Sequence, residues 1–239
     1  YNLSEVGSFV RQGAQALVLP LPCDGVRWEK GANPGIARAM KSHGGGNLLH
    51  VGRMAPNKKI EDIIKSFYFY HHKINKKSRL WLIGGDIDTE IYSFELRRLV
   101  TELRLREAVA FVGSVFDDEL HALYEHADLY LCMSEHEGFC VPLLEAMRFK
   151  VPIVAFASTA IPETVGDGAV LVSEKNPAGI AELINAILED SHLREALVAR
   201  GEARVKEFSV ERFKTKLLQE LVTPLRNFPL SRGSNISET

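Results

Sequence analysis

Leu129-Tyr130-Leu131-Cys132-Met133, continuing as Ser134-Glu135-His136-Glu137-Gly138-Phe139-Cys140-Val141-Pro142-Leu143-Leu144-Glu145-Ala146-Met147, is the stretch on which the fold turns. Its first five residues form an apolar run short enough for a buried strand. Pro142 suits the opening of a helix, where a missing N–H costs nothing. That spacing puts Glu137 in the strand-to-helix turn and Glu145 about one turn into the helix. Two carboxylates eight positions apart then flank a helix N-terminus, whose free N–H groups favour an anion between them. One carboxylate can take both hydroxyls of a vicinal diol. An acid for a sugar ring and another for a ribose would suit a ligand that joins the two through a diphosphate. As a bare pair, Glu137 reads as a solvated loop acid and Glu145 as an exposed helix residue.

Outward from this stretch, strands alternate with helices from Asn47 onward. Leu48–Gly52, Leu80–Ile83, Val109–Val112, Leu129–Met133, Pro152–Phe156 and Ala169–Val172 read as strands. Helical spacing connects them: Ile60, Ile63, Ile64 and Phe67; then Leu96, Leu99, Val100 and Leu103; then Asp117 to His126, with acids in its first turn. Pro177–Leu188, Ser191–Arg200 and Val210–Leu221 read as closing helices, with Pro224 as a stop. The pattern predicts an α/β fold, a Rossmann-like parallel sheet of about six strands with helices on both faces. Ligands of such sheets bind beyond the carboxyl ends of the strands. Arg53, Gly84, Gly113, Ser134–Gly138 and Ser158 all follow strands, so the candidate chemistry falls on one edge.

After the first strand comes Gly52-Arg53-Met54-Ala55-Pro56-Asn57-Lys58-Lys59, with Asn57 as the expected helix cap. Cations at the positive end of a helix are locally unfavourable by roughly 0.3–1 kcal/mol each. A bound diphosphate would reverse the sign for Arg53, Lys58 and Lys59; Glu61 and Asp62 could also neutralise them as a surface cluster. Gly84-Gly85 and Gly113 allow close backbone approach to a ligand, or simply end strands.

Ser134–Met147 resembles the Glu-x7-Glu signature of retaining glycosyltransferase family 4, including Gly-Phe after the first acid and Glu-Ala-Met at the second. The family has the two-domain GT-B fold and carries this signature in its C-terminal, nucleotide-sugar-binding domain. The family's Gly-Arg, four residues, Lys pattern is also present at Gly52, Arg53 and Lys58, with Lys59 where Gly is common. The resemblance implies that Arg53 and Lys58 hold the diphosphate and that Glu137 orients the sugar with main-chain N–H groups of Gly138, Phe139 and Cys140. It further implies that Glu145, beside Leu144, binds ribose hydroxyls, while Ser114 and Val115 of Phe111–Val115 lie beside the base. Ser158-Thr159-Ala160-Ile161-Pro162-Glu163 resembles the loop where the family often has Gly-Gly-x-Pro-Glu, without the glycines. Glu137, Arg53 and Lys58 are the expected catalytic residues, with no metal and no cofactor beyond the sugar-nucleotide substrate.

By this resemblance, residues 1–46 are the end of an N-terminal domain and a linker, with an ordinary surface lead-in as the alternative, and 47–224 are the donor-binding domain; residues 225–239 read as a flexible tail. Ala16–Pro22 reads as a short strand stopped by prolines, and Asn33-Pro34 to Met40 as a helix start. The implied function is transfer of a hexose-type sugar from a nucleoside diphosphate to a glycan, lipid-linked or other acceptor, as in polysaccharide biosynthesis. The acceptor would bind mainly to an N-terminal domain absent from this sequence, so the chain alone would bind donor and transfer little. The alternatives are a non-catalytic nucleotide-sugar-binding module, or another GT-B enzyme such as an epimerase or a phosphorylase.

Composition is consistent with this picture. The 239 residues are 46% hydrophobic and 25% charged, as in an ordinary globular domain. A net charge of −2 argues against a nucleic-acid surface. Cys23, Cys132 and Cys140 are odd in number and show no Cys-x-x-Cys, which favours free thiols over a disulfide frame or zinc site. No run reaches the length of a membrane span. The expected location is cytoplasmic, free or peripheral at the inner face of the membrane. Asp86-Ile87-Asp88 reads as a solvated acidic loop, and His121/His126 as a poor zinc pair.

Overall fold

The computed structural model describes residues 19, 21–23, 28–29, 31–42 and 44–222. The Asn33 side chain accepts the N–H groups of Gly35 and Ile36, capping helix α1 (Pro34–Lys41). Six strands follow: β1 (Asn47–Val51), β2 (Arg79–Ile83), β3 (Val109–Gly113), β4 (Leu129–Cys132), β5 (Ile153–Phe156) and β6 (Val170–Val172). The connecting helices are α2 (Ile60–Phe69), α3 (Glu90–Glu102), α4 (Asp117–Glu125), α5 (Val141–Arg148) and α6 (Ile161–Val165). Helices α7 (Pro177–Glu189), α8 (Ser191–Glu207) and α9 (Val210–Leu217) close the domain.

All five strand pairings are parallel, in the order β3-β2-β1-β4-β5-β6. Alternation of side chains splits the core in two. Leu48, Leu80, Leu82, Leu129 and Leu131 pack with Ile60, Ile63, Ile64 and Phe67 of α2 and with Ile184 of α7. Leu49, Trp81, Ile83, Tyr130 and Ile153 pack on the other face with Leu123, Leu143 and Met147. Burying each such aliphatic side chain contributes about 1.5–3 kcal/mol. The sequence-based expectation of a Rossmann-like sheet with helices on both faces therefore holds.

Details differ at two places. Helix α8 runs on past Arg200 to Glu207. Gly201 is buried inside it, where a β-carbon would stand 3.1 Å from Met147 Cγ of α5. The last helix ends at Leu217 and widens into a π turn over Leu218–Val222. Most of the expected Ala16–Pro22 strand, Pro224 and the 225–239 tail lie outside the described residues.

Candidate functional site

Strand order reverses between β1 and β4, the two central strands, and their outgoing loops flank the crevice that such a reversal opens. From β1, a 3₁₀ turn (Pro56–Lys58) leads into α2. From β4, residues 133–140 lead into α5. These two loops carry Lys58 and Glu137, which meet: Lys58 Nζ lies 2.7 Å from Glu137 Oε1 and 2.9 Å from Oε2. Their side chains are only 20% and 8% exposed. Both oxygens of an acid from one loop are thus held by a cation from the other, 79 residues apart.

The main chain around this pair is stitched together. Asn57 Nδ2 donates to His136 O at 3.0 Å, and Glu135 N donates to Asn57 O at 2.9 Å. Asn57 is therefore not the cap of α2; that position is Lys59, whose side chain makes no capping bond. The 3₁₀ turn displaces the helix start by two residues and turns the Asn57 amide toward the neighbouring loop. Glu137 N donates to Thr159 Oγ1 at 2.9 Å, and Thr159 Oγ1 donates to Glu137 O at 3.0 Å. Thr164 Oγ1 donates to Phe139 O at 2.6 Å, and Ser158 Oγ to Ser134 O. Hydroxyls on and beside the expected glycine positions grip the turn that presents Glu137.

Lys59 adopts φ 50°, a left-handed conformation natural to glycine. Its ammonium lies 3.3 Å from Glu135 and 3.8 Å from Glu61, and Lys175 bridges Glu135 and Asp62. The three cations of the loop therefore divide. Lys59 joins a surface network, Lys58 turns inward, and the exposed Arg53 makes no ion pair with a described residue.

Beneath the pair lies a residue that pattern reading passes over. His50 is fully buried in β1, with Nδ1 2.9 Å from Leu131 O. Its Nε2 has no partner among the described residues. Burial, with Lys58 nearby, depresses its pKa to about 4, so the imidazole is neutral. A β-carbon at Gly52 would stand 3.3 Å from His50 Nε2 and 3.8 Å from Lys58 Cε, so Gly52 leaves the passage for the lysine stem. A histidine set among Leu48, Leu49 and Val51 in a strand was the available signal.

Helix α5 begins at Val141, one residue before Pro142. Its N-cap, Cys140, has φ 64° and no side-chain capping bond, and no described group accepts the N–H of Phe139 or Cys140. Those donors point to the chemistry of a helix N-terminus. The proximity of the Cys132 and Cys140 thiols holds Cys132 below and Cys140 above the usual thiol range. Sulfur and carboxylate atoms of Cys132, Cys140 and Glu137 lie within 4.8 Å of one another. A metal there would need both thiols ionised and Glu137 released by Lys58.

Glu145 departs from the expectation of an exposed acid. It is 5% exposed, and Tyr124 of α4 donates to its Oε2 at 2.9 Å. Leu144 beside it is fully buried in the core. On the far side, Gly84 N donates to Gly113 O at 2.8 Å, and Met54 N to Gly85 O at 2.9 Å. Gly84, at φ 139°, is demanded outright, because a β-carbon there would lie 2.1 Å from Gly52 O. Ser114 is exposed and Val115 half-buried just after β3, on the same edge and two strands from β1.

Residues 39–204 match the family model described as "Glycosyl transferases group 1". The chain belongs to this family. A similar curated protein is the O-antigen chain mannosyltransferase B of Escherichia coli, 31% identical over 176 residues, covering 72% of this chain and 45% of that protein. Solved structures share the fold. Sucrose-phosphate synthase from Thermosynechococcus elongatus superposes with a TM-score of 0.76 at 24% identity, over 93% of this chain and 56% of its own. Anabaena HepE, solved with UDP and glucose, superposes with a TM-score of 0.70 at 21% identity, over 80% and 53%. The chain thus spans less than half of that mannosyltransferase and just over half of each structure. The resemblance of the chain to glycosyltransferases of GT-B fold stands. No helix among the described residues is long and apolar enough to cross a membrane.

Proposed function

We propose that this chain is the donor-binding half of a retaining, metal-independent glycosyltransferase that uses a nucleoside diphosphate hexose. The observation that carries the reading is the Lys58–Glu137 pair, held at 2.7 and 2.9 Å at the strand-order reversal and beside the start of α5. A cation and an acid meet where a diphosphate would meet a sugar. Arg53 and Lys58 engage the diphosphate and neutralise the charge that builds on the leaving phosphate oxygen as the glycosidic bond lengthens. Glu137 takes sugar hydroxyls, with N–H groups of the 138–140 turn as additional donors. Ser114 and Val115 flank the base. Glu145 takes the ribose hydroxyls, with Tyr124 orienting its carboxylate. Cationic charge from two side chains leaves no step that needs a metal.

The acceptor binds mainly to an N-terminal domain of the longer protein, so this chain binds donor with little transfer. Support for the donor class comes from HepE, whose complex holds UDP and glucose. Support for a glycan acceptor and polysaccharide biosynthesis comes from the O-antigen mannosyltransferase relative. The chemistry is cytoplasmic or at the inner membrane face, where sugar nucleotides are made. Fluorescence-monitored melting with UDP, GDP and ADP tests the reading: one of them raises the melting temperature, and the Lys58→Met variant loses that shift. Absence of stabilisation by all three overturns the assignment.

A further inference from the structure

At the other end of the sheet, where β2 and β3 begin, a second concavity of about 280 Å³ opens. Its rim carries Lys76, Lys77, Arg79 and Arg104, with His71 on its wall and Glu107 as its one carboxylate. No ion pair joins these four cations to a described acid. The length of β2, roughly 15 Å, separates this concavity from Lys58 and Glu137.

The rim is built on constrained backbone. Lys77 N donates to Asn75 Oδ1 at 3.0 Å, and the buried Ser78 hydroxyl donates to Asn75 O at 2.7 Å, which pins the turn carrying Lys76 and Lys77. Arg79 N donates to Gly46 O at 2.8 Å. Arg104 sits at φ 56° immediately past the end of α3, a position where glycine is the usual residue. Helix C-termini attract cations, so the ends of α2 and α3 account for part of this charge. Each supplies only about half a negative charge. Four cations less Glu107 and about one unit from the two helix ends leave roughly two positive charges uncompensated. Burial, and after it the neighbouring His72 and Lys76, depresses the His71 pKa, while its contact with Ser78 acts the other way.

We propose that this concavity binds a phosphate group, on a lipid headgroup or a small phosphorylated molecule, at a site separate from the donor site. A phosphate dianion supplies the missing two charges and accepts charge-assisted hydrogen bonds from the arginine forks and lysine ammoniums. The inference stands independently of the donor reading, because it uses none of the same residues.

The test follows the His71 imidazole by NMR while inorganic phosphate is added, with co-sedimentation on phosphatidylcholine vesicles with and without phosphatidic acid as a second arm. Phosphate is expected to raise the His71 pKa saturably. A Lys76→Gln/Arg104→Gly variant, which suits the left-handed backbone at 104, is expected to bind about tenfold more weakly or worse, the loss of roughly one charge-assisted contact. Amide resonances away from the concavity, unchanged in that variant, show that the fold is intact whether or not UDP binds. Binding only to phosphatidic acid vesicles assigns the lipid headgroup, and binding of free phosphate assigns a small phosphorylated molecule. No response of His71 together with no vesicle binding, or equal binding by the variant, overturns the proposal.

Discussion

Replacing Lys58 with Met removes both hydrogen bonds to Glu137, whose side chain is only 8% exposed. Glu137 cannot simply swing into water, because Thr159 grips its main chain from both sides. Removing one partner of a fully buried ion pair costs about 3–5 kcal/mol. Lys58 is one-fifth exposed and water reaches the pair from that side, so about 2 kcal/mol is the appropriate figure here. For a domain of this size that lowers the melting temperature by about 4–8 °C. Adding Glu137→Gln to Lys58→Met removes the stranded charge and should restore most of the loss, giving a coupling of about 1.5 kcal/mol in a double-mutant cycle. Urea denaturation of the four proteins measures this directly. UDP titration of the same set separates the roles: Glu137→Gln retains nucleotide stabilisation, whereas both proteins lacking Lys58 lose it. If Lys58→Met costs under about 0.5 kcal/mol, or the double variant is no better than the single one, the two residues do not hold each other and the reasoning fails.

Lys59→Gly should raise stability by about 1 kcal/mol, because glycine accepts the left-handed backbone without the β-carbon cost; an unchanged or lower denaturation midpoint would contradict this. Gly84→Ala should cost about 3 kcal/mol or more, since the new carbon lands 2.1 Å from a main-chain oxygen, and a soluble variant with an unshifted midpoint would rule out that close approach. His50 provides a pH signature. Its folded pKa of about 4 lies below the unfolded value, so the unfolded state binds the extra proton. The contribution is complete above about pH 6.5 and declines as pH falls toward 4, reaching a loss of about 3 kcal/mol. His50→Asn should flatten the stability–pH curve across that window, and an unaltered slope counts against a buried neutral imidazole.

The alternation of short apolar runs with helically spaced ones settled the sheet, its parallel sense and the edge on which the candidate residues fall, because burial on both faces and the two periodicities are local properties of the chain. The Glu-x7-Glu stretch and the Gly-Arg-x4-Lys segment were legible for the same reason. Each needs only its own residues at their own spacing. What the order of residues could not convey was pairing across the β1–β4 junction. Lys58 choosing Glu137 while Lys59 takes Glu135, Asn57 leaving the helix cap for His136 O, and Tyr124 reaching Glu145 all join residues that lie between 21 and 79 positions apart. Nor does composition show that Gly201 packs against Met147 inside α8, or that His50 is fully buried with only its Nε2 unpartnered among the described residues. Those outcomes depend on which side chains meet once the sheet is closed, and electrostatics and sterics act through space rather than along the chain.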